Sequence, residues 1–393
     1  VSESTLAGIP AYPYFADYFQ IVPSQPGQVW FRAPRRSFTL RTPLTPALLS
    51  GLAIELNGKR PAGEILDWLG QQGLNRLAAL SLLQTLNQQG ALLAGPPAQP
   101  GYHLQTLYFG QVFNRPGEDE QTRLAGATVL VFGLGGLGSH LLASLARAGV
   151  GHLIGVDAGR LDETDLQGSA YPAQAAGTAR LAAAQALVNS LNPLVEFSGL
   201  ELAGLSENIK PALAKLGQIE PGQLNKMAVA ALDQPHPDFY EALNRECLDL
   251  ELAWTLAQFD GFVGLLGPTV VPFYSPCYHC YRLRSQATHP NRLAQQAFED
   301  SLNLPEAGRY RPGQMAQFNP LLAHSLSLEI TKLLTGYGCN ETADRLLSFD
   351  FFNLKIEAHP VLRVPDCPVC GRLAGRYVPP TDYAELAGVA GYA

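Results

Sequence analysis

The apolar positions change period several times along the chain, and each change marks an element. Gln28-Val-Trp-Phe-Arg32 and Ser37-Phe-Thr-Leu-Arg41 alternate polar and apolar residues, which predicts two short strands around a turn carrying Arg35-Arg36. Helical spacing follows. Thr45 can cap a helix over Ala47–Ile54, with Pro46 at its first position and Asn57-Gly58 as its stop. Ala62–Leu69 sets Ile65, Leu66 and Leu69 at core spacing, and Leu77–Gln88, ended by Gly90, precedes a last apolar strand at Ala91–Leu93. Two strands and three helices make a small winged-helix-like domain over residues 14–93. Gly95-Pro-Pro-Ala-Gln-Pro-Gly101 then reads as a linker, residues 94–106.

Beyond the linker the apolar runs lengthen, as strands buried on both faces require. Thr128–Phe132 is a strand, Ser139–Ala148 a helix and His152–Val156 a second strand that ends in Asp157. Between the first strand and the helix stand Gly133, Gly135, Gly136 and Gly138, the G-x-G-x-x-G spacing that permits a tight turn and lets backbone amides approach a phosphate at a helix N-terminus. Asp157 stands where a ribose hydroxyl would be held. The same glycines also suit close helix–strand packing without a ligand. A helix at Ala179–Leu191 closes at Asn192-Pro193, and strands follow at Val195–Leu200 and Met227–Leu232, the latter ending in Asp233. A helix at Tyr240–Leu248, strands around Leu250–Ala257 and Gly261–Pro268, a helix at Ser325–Leu334 stopped by Gly336, and a hairpin at Leu346–Ala358 complete the pattern. The expectation is an α/β, Rossmann-like domain over residues 107–376, with a tail at 377–393.

Composition narrows the choice. With 393 residues, 47% of them hydrophobic and 16% charged, the chain can bury ample core. A net charge of −7 argues against a nucleic-acid coat, whose binding rests on neutralising phosphates. No apolar run reaches membrane-spanning length and the first residues lack a secretory pattern, so a cytoplasmic location is expected. In a reducing compartment paired cysteines point to metal. Cys277-Tyr-His-Cys280 and Cys367-Pro-Val-Cys370 each offer two thiolates at knuckle spacing, and together they supply the four ligands of a structural zinc ion. Redox thiols and unpaired core cysteines are the other readings. Such a site would staple the end of the domain to its middle, and a closed four-sulfur shell leaves no open position for catalysis. His279 is expected to be an exposed bystander; Cys247 and Cys339 stand alone, and no residue is assigned a catalytic role.

Two resemblances organise these signals. Pro43-Leu-Thr-Pro-Ala-Leu-Leu, Leu56-Asn-Gly-Lys-Arg and Gln84-Thr-Leu-Asn-Gln-Gln-Gly-Ala-Leu-Leu resemble the PqqD-like peptide-recognition domain. That resemblance implies capture of the leader of a ribosomally made precursor peptide by strand addition; a winged-helix module used only for dimerisation would share the same elements. The glycine turn, Asp157, Asn192-Pro193, Asp233 with the downstream Asn244-Arg-Glu-Cys-Leu, and the two cysteine pairs resemble the ThiF/MoeB superfamily, the ubiquitin-activating type of fold. Together they resemble the ThiF-like partners of azole-forming cyclodehydratases, a likeness that Pro276–Arg284 strengthens. The resemblance implies a precursor leader and a YcaO-type cyclodehydratase as partners, and a homodimer.

Active members of that superfamily carry an arginine-glutamine pair after the ribose acid and a lysine further on, which neutralise ATP phosphates. Here Asp165-Leu-Gln-Gly168-Ser169 has no arginine, and Arg180 stands at the lysine position. Arg115 and Arg123 are the candidates for a further upstream arginine. The expectation is a scaffold that has lost adenylation. The rival is an enzyme that binds ATP and magnesium through the glycines, Asp157, Arg180 and Asp233 and adenylates a peptide carboxylate. A hydride-transferring NAD enzyme on the same turn would leave the cysteine pairs unexplained. The polar stretch Arg284–Gln317 reads as a lid, a docking loop or a mobile segment.

Overall fold

A computed structural model describes residues 8–25, 27–34, 36–42, 44–96, 100–113, 115, 117–202, 209–219, 224–302 and 313–371. Arg35, part of the expected linker, the middle of the 284–317 stretch and the 377–393 tail therefore lie outside the described residues. The chain divides into two compact units, residues 1–121 and 122–393.

In the first unit, strands β1 (Tyr14–Phe15), β2 (Gln20–Pro23), β3 (Gln28–Arg32) and β4 (Ser37–Arg41) precede helices α1 (Pro46–Glu55), α2 (Ala62–Gln71) and α3 (Arg76–Gln88). Strand β5 (Leu92–Leu93) and helix α4 (His103–Phe113) follow. Thr45 accepts from the Leu48 amide at 3.2 Å and Asn75 from that of Ala78 at 2.9 Å, so both helices start on a side-chain cap. Antiparallel β2, β3 and β4 form a sheet in that order, while β1 pairs with β5. The sequence pattern expected β3, β4 and β5 here and missed β1 and β2. β2 escaped notice because its four residues include no buried position and end in proline. The inward side chains of β3, Val29 and Phe31, join Leu49, Leu52, Ile65, Leu69, Leu83 and Leu86 in one core. Phe31 and Phe38 stack across β3 and β4 with ring centroids 4.7 Å apart.

Helix α5 (Glu118–Ala125) leads into β6 (Thr128–Phe132), α6 (Gly136–Ala148), β7 (His152–Val156), α7 (Glu163–Gln167), α8 (Arg180–Leu191) and β8 (Glu196–Leu200). Then come α9 (Ile209–Ala214), β9 (Lys226–Ala231), α10 (Pro237–Asp249), β10 (Ala253–Asp260) and β11 (Val263–Leu266). Helices α11 (Tyr278–Thr288), α12 (Arg292–Leu302) and α13 (Phe318–Thr335) precede the hairpin β12 (Arg345–Asp350) and β13 (Lys355–Pro360). The eight strands form one sheet in the order β13-β12-β11-β10-β9-β6-β7-β8. From β8 to β10 neighbours run parallel; from β10 to β13 they run antiparallel. This mixed sheet is the expected Rossmann-like α/β fold. The chain passes from β6 to β7 and β8 on one side, then returns to place β9 on the other. That reversal opens a crevice at the carboxyl ends of β6 and β9, where open α/β sheets hold their ligands. Gly133 and Asp233 stand at its two lips.

Glycines end α6 and α13. Gly149, at φ 81°, closes α6, with the Val150 amide reaching back to the Leu145 carbonyl, and Gly336, at φ 77°, closes α13. Helix α13 starts at Phe318, seven residues before the Ser325 expected from its amphipathic spacing, because Asn319 is buried at the glycine turn and Leu322 against the sheet at Gly264. Part of the 284–317 stretch is ordered helix: α11 runs to Thr288 and α12 to Leu302.

Candidate functional site

The crevice is a cavity of about 810 Å³ lined by Gly133, Gly136, Asp157, Asp165, Arg180 and Asp233, among others. Residues 313–316, at the end of the polar stretch, form part of its wall. Gly133 adopts φ 90°, open to glycine at little cost. A Cβ on Gly138 would lie 1.9 Å from the Gly133 carbonyl oxygen, so the turn and the first turn of α6 touch backbone to backbone. Asn319 caps the glycine turn from α13: its Nδ2 donates to the Gly168 carbonyl at 2.9 Å and lies where a Cβ on Gly136 would fall. No sequence signal marks Asn319, since it is brought there by the packing of α13 against α6.

The carboxylates of the cavity are already engaged. Asp157 Oδ2 accepts from the Leu134 amide at 2.8 Å and Oδ1 from the Gly159 amide at 2.6 Å. Asp233 accepts from the Leu137 and Gly136 amides at 3.1 and 3.3 Å, occupying the α6 N-terminus that a phosphate would need. Burial pushes the Asp233 carboxyl up from its ordinary value, and the Leu137 amide only partly counters this. Arg180 spans two acids, with Nη1 3.4 Å from Asp157 and Nη2 2.9 Å from Asp165. Burial alone would lower the guanidinium pKa; Asp157 and Asp165 outweigh it and raise it. Asp165 in turn belongs to a capping box with Asp162 at the start of α7, the one local signal that marks it. Tyr171, its phenol held protonated by burial, donates to the Leu134 carbonyl at 2.8 Å.

Arg180 is the only lysine or arginine among the described lining residues, against three aspartates, and burial lowers the pKa of the nearby His236. Gly168, within the stretch expected to carry an arginine, offers no charge. A triphosphate would meet an anionic wall and a helix end already capped by a carboxylate. Among the described lining residues, the side chains offer a triphosphate only the Arg180 guanidinium. Arg115 pairs with Asp119 at 2.8 Å and with Glu120, and Arg123 donates to the Thr335 carbonyl at 3.1 Å, so both have structural work.

The cysteine pairs meet at one point. Cys277 Sγ lies 3.8 Å from the sulfurs of Cys280 and Cys367, and Cys280 Sγ lies 3.5 Å from that of Cys370. A tetrahedral zinc ion with bonds of about 2.3 Å requires sulfurs about 3.8 Å apart, so the four buried thiols fit that ion. Cys277 caps α11, which brings Cys280 one turn on to the same side. The Val364 amide points at Cys280 Sγ from 3.4 Å, and Arg363 Nη2 donates to the Ser275 carbonyl at 3.1 Å, docking the strap at 361–371 over α11. His279 departs from expectation. It is largely buried, and its Nδ1 lies 2.8 Å from Glu241 Oε1. Glu241, itself buried, also faces Arg282 at 3.6 Å, and Arg282 reaches Glu299 at 3.1 Å, so the knuckle is tied to α10 and α12. Cys247 is buried in the core and Cys339 exposed.

A glycine turn at the switch point of a mixed sheet, with four buried thiols placed to hold a metal ion elsewhere in the same unit, defines a Rossmann-like α/β protein. Residues 110–369 match the ThiF family, and the chain belongs to it. Protein HesA of Nostoc sp. is 30% identical over 273 residues, covering 68% of this chain and 92% of that protein. The sulfur carrier protein ThiS adenylyltransferase of Escherichia coli is 25% identical, over 64% and 89%. Among solved structures, the microcin C7 biosynthetic enzyme MccB in complex with N-formylated MccA superposes with a TM-score of 0.66 at 17% identity. It covers 91% of this chain and 99% of its own. Among the described residues no helix is long and apolar enough to cross a membrane.

Proposed function

We propose that this chain captures the leader of a ribosomally made precursor peptide in its first unit and presents it to a YcaO-type cyclodehydratase for azoline formation, without adenylating anything itself. The observation that carries the reading is the outer edge of β4, with which no strand pairs among the described residues. Thr42 N–H donates to Gly27 and Ala33 N–H to the Arg36 carbonyl, which fixes the parity of the β3–β4 ladder. Phe38 and Leu40 therefore turn their amides toward β3, and Ser37, Thr39 and Arg41 turn theirs outward. The opposite edge is blunted by Pro23 and packed by α1. Arg36 Nη2 donates to the Gln88 carbonyl at 3.2 Å, setting the C-terminal end of α3 beside the start of β4. An extended peptide can pair with β4 and lay alternate side chains toward α3. The fold likeness to MccB, whose complex contains the MccA peptide, supports a peptide as partner.

The cavity's chemistry supports a loss of adenylation, chiefly the Asp233 carboxylate on the α6 N-terminus. The zinc ion would hold the strap and take no part in chemistry. Adenylation is the second reading, favoured by the intact glycine turn and by adenylyltransferases among the relatives. Two titrations of the full chain separate them. Thr39→Pro removes one outward amide and spares the ladder to β3; it should abolish leader binding. Unchanged affinity would refute strand addition. ATP with magnesium should give no heat up to millimolar concentration, whereas binding abolished by Asp233→Ala would establish the second reading.

A further inference from the structure

We infer that the segment added to β4 is an acidic strand in which apolar and carboxylate side chains alternate. This rests on the reading of the first unit as a peptide-capturing module, and adds the chemistry of what is captured. Residues 1–96 contain seven arginines and lysines against five aspartates and glutamates, a charge of +2; the rest of the chain then carries −9 of the total −7.

The described acids of residues 8–96 are occupied within the unit. Glu55 and Glu64 flank Arg60, Asp67 faces Arg76 at 3.7 Å, and Asp17 accepts from Tyr14 at 2.6 Å and meets His103 at 3.0 Å. Among the described residues no carboxylate pairs with Arg32 or Arg41. Both stand on the solvent face of the small sheet. Arg32 lies 5.8 Å over the ring of Trp30, whose neighbour across β4 is Thr39, and Arg41 lies on β4 itself.

A strand paired to the outer edge of β4 must follow the pleat. Every second side chain would stand beside Phe38 and Leu40, half-buried on the face that packs on the core, where only apolar groups are tolerated. The intervening side chains would stand beside Ser37, Thr39 and Arg41, with the Arg32–Trp30 pair one strand further in. Unpaired guanidinium groups there favour carboxylates and repel lysines. The precursor's leader is therefore an apolar-in, acid-out strand.

The test uses the full chain and three labelled synthetic peptides, alternating leucine or valine with aspartate, asparagine or lysine, followed by fluorescence anisotropy. The aspartate peptide should bind most tightly and the lysine peptide least. Arg41→Glu should weaken the aspartate peptide by about three- to tenfold and strengthen the lysine peptide, which also shows that the variant is folded. Equal affinities for the three peptides, or an equal effect of Arg41→Glu on all of them, would overturn the charge assignment and leave strand addition standing. Aspartate-peptide binding that survives Thr39→Pro would overturn strand addition, and with it this assignment. No binding of any peptide would also overturn the inference.

Discussion

Replacing Cys367 with serine removes one corner of the four-sulfur centre, and its consequence can be worked from the chain's connectivity. Cys280 and Cys367 stand 87 positions apart, and a metal that bridges the two pairs closes a loop of that length in the unfolded ensemble. Loop-closure entropy for about 90 residues is about 15 cal/mol/K, or about 4–5 kcal/mol at room temperature. For a domain of this size each kcal/mol moves the unfolding midpoint by roughly 2–3 °C, so Cys367→Ser or chelation should lower Tm by roughly 10 °C. The assay pairs differential scanning calorimetry with metal analysis and thiol titration. Of the six cysteines only Cys339 is exposed, so one thiol should react quickly before chelation and the four of the centre should join it afterwards. Acid should release the metal, because the thiolates must be protonated to let go. Metal-free protein with the same Tm and the same single fast thiol would refute the staple.

Two other outcomes follow from packing. Gly138→Ala should destabilise the second unit by about 3 kcal/mol, because its Cβ meets the Gly133 carbonyl, a backbone atom held by the sheet; an unchanged denaturant midpoint would show that the turn is loose. His140 should stay neutral on acidification until about pH 4, since burial and the nearby His324 lower its pKa against the opposing Gly168 carbonyl. Because the folded value lies below the unfolded one, this group costs stability as pH falls from the ordinary imidazole range toward that midpoint. An imidazole NMR titration centred near the ordinary value would contradict the burial.

The expected α/β fold was legible because its signals are local. The run Thr128–Phe132, four glycines at fixed spacing, a helix and a strand ending in Asp157 lie within about thirty residues, so one β-turn-α-β unit can be read without knowing what surrounds it. The cysteine pairs were legible for the same reason, since C-x-x-C is a spacing on one turn of chain. The start of α1 follows its cap at Thr45. Strand β2 and helix α12 left no comparable trace, one being short and unburied, the other lying in a polar stretch whose helical period is visible only once Leu302 is seen to be buried.

By itself, then, the sequence determined the glycine turn, the alternation of strands and helices, and two half-sites for a metal, all set by steric and hydrogen-bonding demands within a few residues. Tertiary structure alone decided what those pieces meet. Sheet order sets β9 beside β6, which carries Asp233 onto the α6 amides from 97 positions away in the chain, and the packing of α13 lays Asn319 over Gly136. His279 looks exposed in the chain, yet Glu241 from α10 buries it. Arg180 is a lone basic residue in the sequence; only the fold surrounds it with Asp157 and Asp165 and spends its charge within the protein. Charge and hydrogen-bond capacity depend on distances of a few ångströms, and between distant segments those distances come from packing.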